Sequence, residues 1–201
     1  PKDQALLDNL GLNGKFVAGY IGTHGMAHAL DTLLYAAQIL GRDEACKNIR
    51  ILLLGDGAQR NILMKKSEAM GLTNILFQAS VPKEEVRRYW SILDLSVIHL
   101  RKTDLFKTVI PSKIFECMGM GLPILHGVEG ESADILNDVG AGETFEPENA
   151  QELADRISTI YANPDLRQRY TENGLKGVAQ FKRSALAADM LAVLADCSDE
   201  R

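Results

Sequence analysis

Cysteine is sparse in this chain and does not pair: Cys46, Cys117 and Cys197 lie far apart with no CxxC spacing. An odd, scattered set excludes a disulfide framework and fits a reducing compartment. Positive charge is not in excess either. The formal net charge of -5 argues against nucleic acid as a partner, because its binders carry a basic patch or stripe. Long hydrophobic runs are missing. Stretches such as Ile51 to Leu54 have strand length, far short of the ~20 residues of a membrane helix, so no transmembrane segment is expected. The first apolar stretch alternates with Asp and Asn, unlike a signal peptide. No amphipathic basic helix marks a membrane-surface segment. Internal repeats, low-complexity tracts and Pro/Ser-rich linkers are also lacking. These absences leave a single domain over residues 1–201, expected in the cytoplasm, with 46% hydrophobic and 24% charged residues, an ordinary globular composition.

Strand-like and helix-like patterns alternate. Lys15 to Ile21 is a short run of apolar, β-branched and aromatic residues, followed by Gly22 and Gly25. Met26, Leu30, Leu33, Leu34, Ala37 and Leu40 then recur at helical spacing, predicting one helix stopped by Gly41. Ile49 to Leu54 reads as a strand covered on both faces, as in a parallel sheet, ending in Gly55-Asp56-Gly57. A helix over Gln59 to Met70 with a stop at Gly71, and a strand at Ile75 to Phe77, come next. Pro82 is placed in the first turn of the following helix. Further strands are expected at Leu95 to Leu100, Pro123 to Leu125 and Glu143 to Phe145, with helices at Ser112 to Met120 and Glu131 to Asp138. Residues 1–13 form a lead-in helix and residues 149–201 C-terminal helices. There Asn149 with Glu152 makes a capping box, and Asn163 caps ahead of Pro164. The pattern is that of an α/β doubly wound, Rossmann-like parallel sheet of about six strands. Such sheets bind ligands beyond the carboxyl ends of their strands, near the point where strand order reverses.

Three loops lie in that position. In Gly22-Thr23-His24-Gly25, glycine lets the backbone approach a ligand, and a helix start attracts phosphate; a plain strand-to-helix turn fits equally. The loop is not a GxGxxG fingerprint, which disfavours a dinucleotide dehydrogenase. His24 and His28 stand four residues apart without a third ligand, so solvated or capping histidines are expected over a metal site. In the segment from Pro111 to Ile124, Ser112 reads as an N-cap, Gly121 as a helix stop and Pro123 as a strand opener. Glu116 falls four residues after Ser112, so a capping box does not explain it. Set among Ile114, Phe115, Cys117 and Met118, it is either a surface acid or a carboxylate accepting two ribose hydroxyls. In Glu129-Gly130-Glu131-Ser132 the acids suit a helix dipole, or the glycine N–H faces an anion.

In order and spacing these pieces resemble the C-terminal, donor-binding domain of GT-B glycosyltransferases. The retaining group that includes sucrose synthase and bacterial mannosyltransferases is the nearest likeness. Tyr20-Ile21-Gly22 with Leu30-Asp31-Thr32-Leu33-Leu34 resembles its first strand, phosphate loop and helix. Leu53 to Gly57 resembles the second strand and its Gly-x-Gly turn, and Asn74 to Pro82 the strand and loop beside the base. Pro111-Ser112-Lys113-Ile114-Phe115-Glu116 through Gly121-Leu122-Pro123 carries the most specific motif. That Pro-Ser-Lys version is common in enzymes of lipopolysaccharide, capsule and exopolysaccharide assembly. The resemblance implies that Glu116 holds the ribose hydroxyls and that backbone groups of Ser112, Lys113 and Ile114 lie near the diphosphate. It sets Gly22, Thr23, Gly25 and His28 along the phosphates, and Val81 and Pro82 at the base. It implies a UDP-sugar donor ahead of a GDP-sugar, no cofactor or metal, and a glycan or lipid-linked acceptor. It further implies an N-terminal acceptor domain outside this chain and a full protein able to sit at the inner face of the membrane.

Three positions depart from the pattern. The family's first glutamate, which contacts the transferred sugar, is Thr108 here, so no catalytic residue is assigned. The usual Arg and Lys of the first loop fall at Thr23 and His28, leaving phosphate charge to backbone dipoles and to Arg101, Lys102 or Lys107. A sugar-nucleotide 2-epimerase half or a non-catalytic nucleotide-sugar-binding domain would share this architecture.

Overall fold

Phe16–Ile21 (β1) is buried at every position, as a strand must be when both faces of its sheet are covered by helices. The computed structural model describes residues 1–182 and, beyond them, Ala187, Met190, Leu191 and Leu194. The remainder of the expected C-terminal helices, with Cys197, lies outside the described residues. Ile49–Leu54 (β2), Ile75–Gln78 (β3), Leu95–His99 (β4), Ile124–Gly127 (β5) and Gly142–Thr144 (β6) complete a six-stranded sheet in the order β3-β2-β1-β4-β5-β6. Every pair in it is parallel.

Alternation along each strand divides the core in two. Ala18, Tyr20, Ile51, Leu53 and Val97 point to one side with Leu33, Leu34 and Leu40 of Asp31–Gly41 (α2), Leu63 of Arg60–Ala69 (α3), and Leu153 and Ile157 of Ala150–Ala162 (α7). Val17, Ile21, Leu52 and Leu54 point to the other. There they meet Leu6 and Leu7 of Gln4–Asn9 (α1), Trp90 of Lys83–Ile92 (α4), Ile114 and Met118 of Lys113–Gly119 (α5) and Leu136 of Glu131–Val139 (α6). Each fully buried leucine contributes about 1.5–3 kcal/mol of transfer free energy. Pro164–Gly177 (α8) closes the described chain, capped by the Asn163 side chain ahead of Pro164 at the first position.

Four local expectations need correction. The helix after β1 does not begin at Met26. A 3₁₀ turn spans Met26–His28, Ala29 adopts a left-handed conformation (φ 43°), and α2 starts at Asp31. The carbonyls of Ala27 and His28, which would feed a continuous helix, instead accept from the Arg101 N–H (2.8 Å) and the His99 ring (2.7 Å). Met26 is consequently 66% exposed, not part of the buried stripe. Pro82 stands just ahead of α4 at the capping position, not inside the first turn. The Asn149 side chain does cap α7 by accepting from Glu152 N–H (3.0 Å), but the Glu152 carboxylate reaches past Asn149 to the N–H of Glu146 (2.9 Å). Ser112 precedes α5, yet its side chain caps no backbone N–H.

Candidate functional site

The chain runs β1, β2, β3 in one direction across the sheet, then crosses back to place β4 on the other side of β1. Strand order thus reverses between β1 and β4, where an open α/β sheet forms its crevice. The loop after β1, residues 22–25, meets the loop after β2 there. Gly22 N–H donates to Leu54 C=O (2.9 Å), His24 N–H to Asp56 C=O (2.8 Å), and Gln59 N–H to His24 C=O (2.9 Å). The two loops are therefore one bonded unit. Gly55 (φ 152°) lies so close beneath Gly22 that a Cβ there would overlap the Gly22 carbonyl oxygen.

A cavity of about 280 Å³ opens over the ends of β1, β2 and β3, lined by Gly22, Thr23, Gly55, Asp56, Ser80 and Val81 among others. That is close to the lower bound of roughly 300 Å³ for small-molecule sites. Val81 is half-buried and lines it, while Pro82 is exposed and does not. Thr23, Gly25 and His28 fold against one another, since a Cβ on Gly25 would touch Thr23 Cγ2 at 3.5 Å and His28 Cδ2 at 3.6 Å. The Tyr20 hydroxyl donates to the Thr23 carbonyl (2.9 Å) and pins this turn.

From the other side of the reversal point comes α5. Glu116 is exposed, and among the described residues it has no cationic partner within ion-pair distance. Among the described residues its only side-chain neighbour in hydrogen-bond range is the Ser112 hydroxyl, at 3.5 Å. Lys113 is half-buried, and its side chain crosses the open face of Gly22. A Cβ on Gly22 would lie 2.7 Å from Lys113 Cε and 2.8 Å from Nζ. The three backbone groups expected beside the diphosphate are not equivalent: the Ile114 N–H is already given to the Pro111 carbonyl (3.1 Å), and the Ile114 side chain is fully buried. Thr108 sits in a 3₁₀ turn (Asp104–Thr108), exposed, with its hydroxyl bonded to the Leu105 carbonyl (3.1 Å). The cations proposed from sequence are mostly engaged. Lys102 pairs with Glu146, and Lys107 with Asp104 (2.9 Å) and Glu129 (3.5 Å). In the third loop, Gly130 packs its bare α-carbon against the Lys107 carbonyl, a close approach that explains the glycine without an anion.

The histidines are not what their polarity suggests. His24 is completely buried, between Tyr20 and Phe77, and among the described residues neither ring nitrogen has a hydrogen-bond partner; it is neither solvated nor a cap. Burial, with the nearby Arg60 charge, pushes its pKa down to about 4. Burial and the neighbouring Lys113 ammonium also lower that of His28. His99 Nε2 accepts from Glu148 N–H (2.9 Å), so its Nδ1 carries the proton donated to the His28 carbonyl. His126 Nε2 pairs with the Ser132 hydroxyl (2.8 Å). All four histidines of the chain thus stand at or just beyond the carboxyl ends of β1, β4 and β5. Among the described residues, no three His, Cys, Asp or Glu side chains group as metal ligands.

Sequence reasoning missed the side chain of Lys113 and the burial of His24, because both depend on contacts between loops distant in the chain. Gly55 carried a signal, the Gly-x-Gly turn after β2.

Comparison with known proteins fits this geometry. The chain is 26% identical over 189 residues to an alpha-D-kanosaminyltransferase of Streptomyces kanamyceticus, covering 93% of the chain and 47% of that protein. It therefore spans about half the length of that relative. Among solved structures, Anabaena Alr3699/HepE in complex with UDP is similar, with a TM-score of 0.81 at 18% identity over 96% of this chain and 52% of that one. The C-terminal domain of a group 1 glycosyl transferase, LpcC, of Francisella tularensis gives 0.72 at 20% identity, covering 88% of this chain and 91% of that domain. The fold is thus that of GT-B glycosyltransferase domains. No helix among the described residues is long and apolar enough to cross a membrane. The sequence pattern of the "Glycosyl transferases group 1" family matches residues 4–177, nearly the whole of the described chain, and the protein belongs to that family.

Proposed function

We propose that this chain is the donor-binding, C-terminal half of a GT-B glycosyltransferase, taking a nucleotide-diphosphate sugar at the reversal point between β1 and β4. UDP is preferred to GDP, and the acceptor is a glycan or lipid-linked sugar of cell-surface polysaccharide assembly. The observation that carries the reading is the unpaired Glu116 carboxylate on the same short helix as Lys113, which reaches Gly22 at the rim of the cavity. A free carboxylate accepts two ribose hydroxyls, and the cavity beside Val81 suits a base. The structural relatives solved with UDP and with UDP-glucose support the choice of donor. The departing diphosphate would be stabilised by preoriented donors as its charge builds. Transfer needs an acceptor side, so the 201-residue chain alone is expected to bind the donor without turnover; robust transfer by it would contradict this.

The test is thermal unfolding with UDP, GDP and ADP, on the wild type and Glu116→Ala. A ligand at about 100 times its dissociation constant adds roughly 2.7 kcal/mol, a rise of about 5–11 °C for a chain this size. Losing hydrogen bonds to a charged group weakens binding about 10- to 100-fold, so the shift should largely vanish in Glu116→Ala. An undiminished shift in the variant would sink the ribose assignment.

A further inference from the structure

We propose that the Lys113 side chain is the cation that holds the donor diphosphate, standing in for the basic residues absent from the loop after β1. The inference rests on the donor-site reading above and assigns its charge. The loop itself has no lysine or arginine between Gly22 and Leu30. A pyrophosphate group needs a fixed positive charge, and the candidates around the reversal point differ in what they already neutralise. Lys102 is committed to Glu146, Lys107 to Asp104 and Glu129, and Lys66 to Asp31. Lys113 has no carboxylate within ion-pair distance among the described residues. A lysine is strongly hydrated, and losing water from a half-buried ammonium without a counter-charge is unfavourable. Its position therefore makes sense with an anion beside it.

The geometry is specific. Lys113 Cε and Nζ both lie where a side chain on residue 22 would have to be. A glycine at 22 is what lets α5 send its ammonium onto the phosphate loop across the reversal point. The Tyr20 hydroxyl, 3.4 Å from that same Cβ position, and the His28 ring form the other walls. The ammonium already acts on His28 electrostatically, so an anion between them would relieve both groups. Two other cations near the two loops also lack an ion pair among the described residues: Arg101, exposed with its backbone N–H on the Ala27 carbonyl, and Arg60, at the start of α3 beside His24. Only the Lys113 amine lies among the atoms nearest a side chain at position 22.

Lys113→Met and Lys113→Arg, each titrated calorimetrically with UDP, uridine and inorganic pyrophosphate, test this. Lys113→Met should bind UDP and pyrophosphate about 10- to 100-fold more weakly while leaving uridine unchanged; Lys113→Arg should keep most of the UDP affinity. Glu116→Ala has the opposite signature, weakening uridine and UDP alike but not pyrophosphate. UDP and pyrophosphate binding unchanged in Lys113→Met overturns the assignment, as does an equal loss for uridine and UDP, which would mark a structural effect. If the wild type takes pyrophosphate in a Lys113-dependent way but no nucleotide, the anion subsite stands and the donor reading falls. If it takes neither pyrophosphate nor nucleotide, both fall.

Discussion

Gly55→Ala is expected to lower the melting temperature by roughly 8–16 °C, from a loss of about 4 kcal/mol converted at about 2–4 °C per kcal/mol for a chain of this length. Two costs combine. The residue has φ 152°, a conformation nearly reserved for glycine and worth about 1–3 kcal/mol of strain for alanine. The new methyl would also overlap the Gly22 carbonyl oxygen and come within 3.2 Å of His24 Nε2, and overpacking adds about 1–3 kcal/mol. Neither loop can slide away to relieve the clash. Gly55 N–H is bonded to Gln78 C=O (3.1 Å) and Gly22 N–H to Leu54 C=O (2.9 Å), so both glycines are held in extensions of the strand ladders. The control is Gly119→Ala at the end of α5, where a Cβ meets nothing within 4 Å and φ is not positive; there alanine should be neutral or stabilise by up to about 1 kcal/mol. If both variants melt alike, the close approach of the two loops is wrong. Where Gly55→Ala still folds, it should also lose nucleotide affinity, because Gly22 moves with Gly55.

That coupling also explains which parts of the molecule were legible in the sequence. The run from Ile49 to Leu54 gave β2 at its true bounds because a central parallel strand is buried on both faces and needs no alternation. Asn163-Pro164 and Gly71 worked as punctuation because their effect is local: a side-chain cap and a left-handed glycine act within one turn. The start of α2 was misread because Met26 has the right spacing, but its turn is decided by β4. Arg101 and His99, more than seventy residues on, take the carbonyls the helix would have used. In the site, Glu116 could be singled out because an acid on a mostly apolar helix stands out within seven residues. The Lys113 side chain could not, since what makes its amine distinctive is Gly22, in the loop after β1. His24 was read as a polar loop residue; the docking of one loop on another is what buries it.

Acidification is expected to remove about 6 kcal/mol of stability between pH 6.5 and 4, on the histidines at the strand ends alone. His24 and His126 are both pushed down to about 4, burial being the main cause in each, against about 6.5 for an unfolded histidine. The sign follows from proton counting. Below pH 6.5 the unfolded chain takes up protons that the folded chain refuses, so stability falls as pH falls. It is fully present above 6.5 and largely gone by 4. At about 1.36 kcal/mol per pH unit each histidine contributes about 3 kcal/mol, and the pair rivals a domain's typical net stability of about 5–15 kcal/mol. His99 adds in the same direction. Its protonation would break the bond from Glu148 N–H to Nε2, which ties the loop after β6 to the end of β4. The lowered carboxylates Asp3, Asp8 and Glu146 also lose stability on acidification. Their window lies below the ordinary carboxylate range, beneath most of the histidine limb, so the two separate in a pH series. His24→Leu isolates the effect. Neither His24 nitrogen has a hydrogen-bond partner among the described residues, so leucine breaks no hydrogen bond there and keeps the volume between Tyr20 and Phe77 filled. The variant should melt no lower than wild type at pH 7.5 and keep about 3 kcal/mol more of its stability at pH 4.5. An unchanged slope between pH 6.5 and 4.5 would mean that His24 reaches solvent and charges without unfolding the chain.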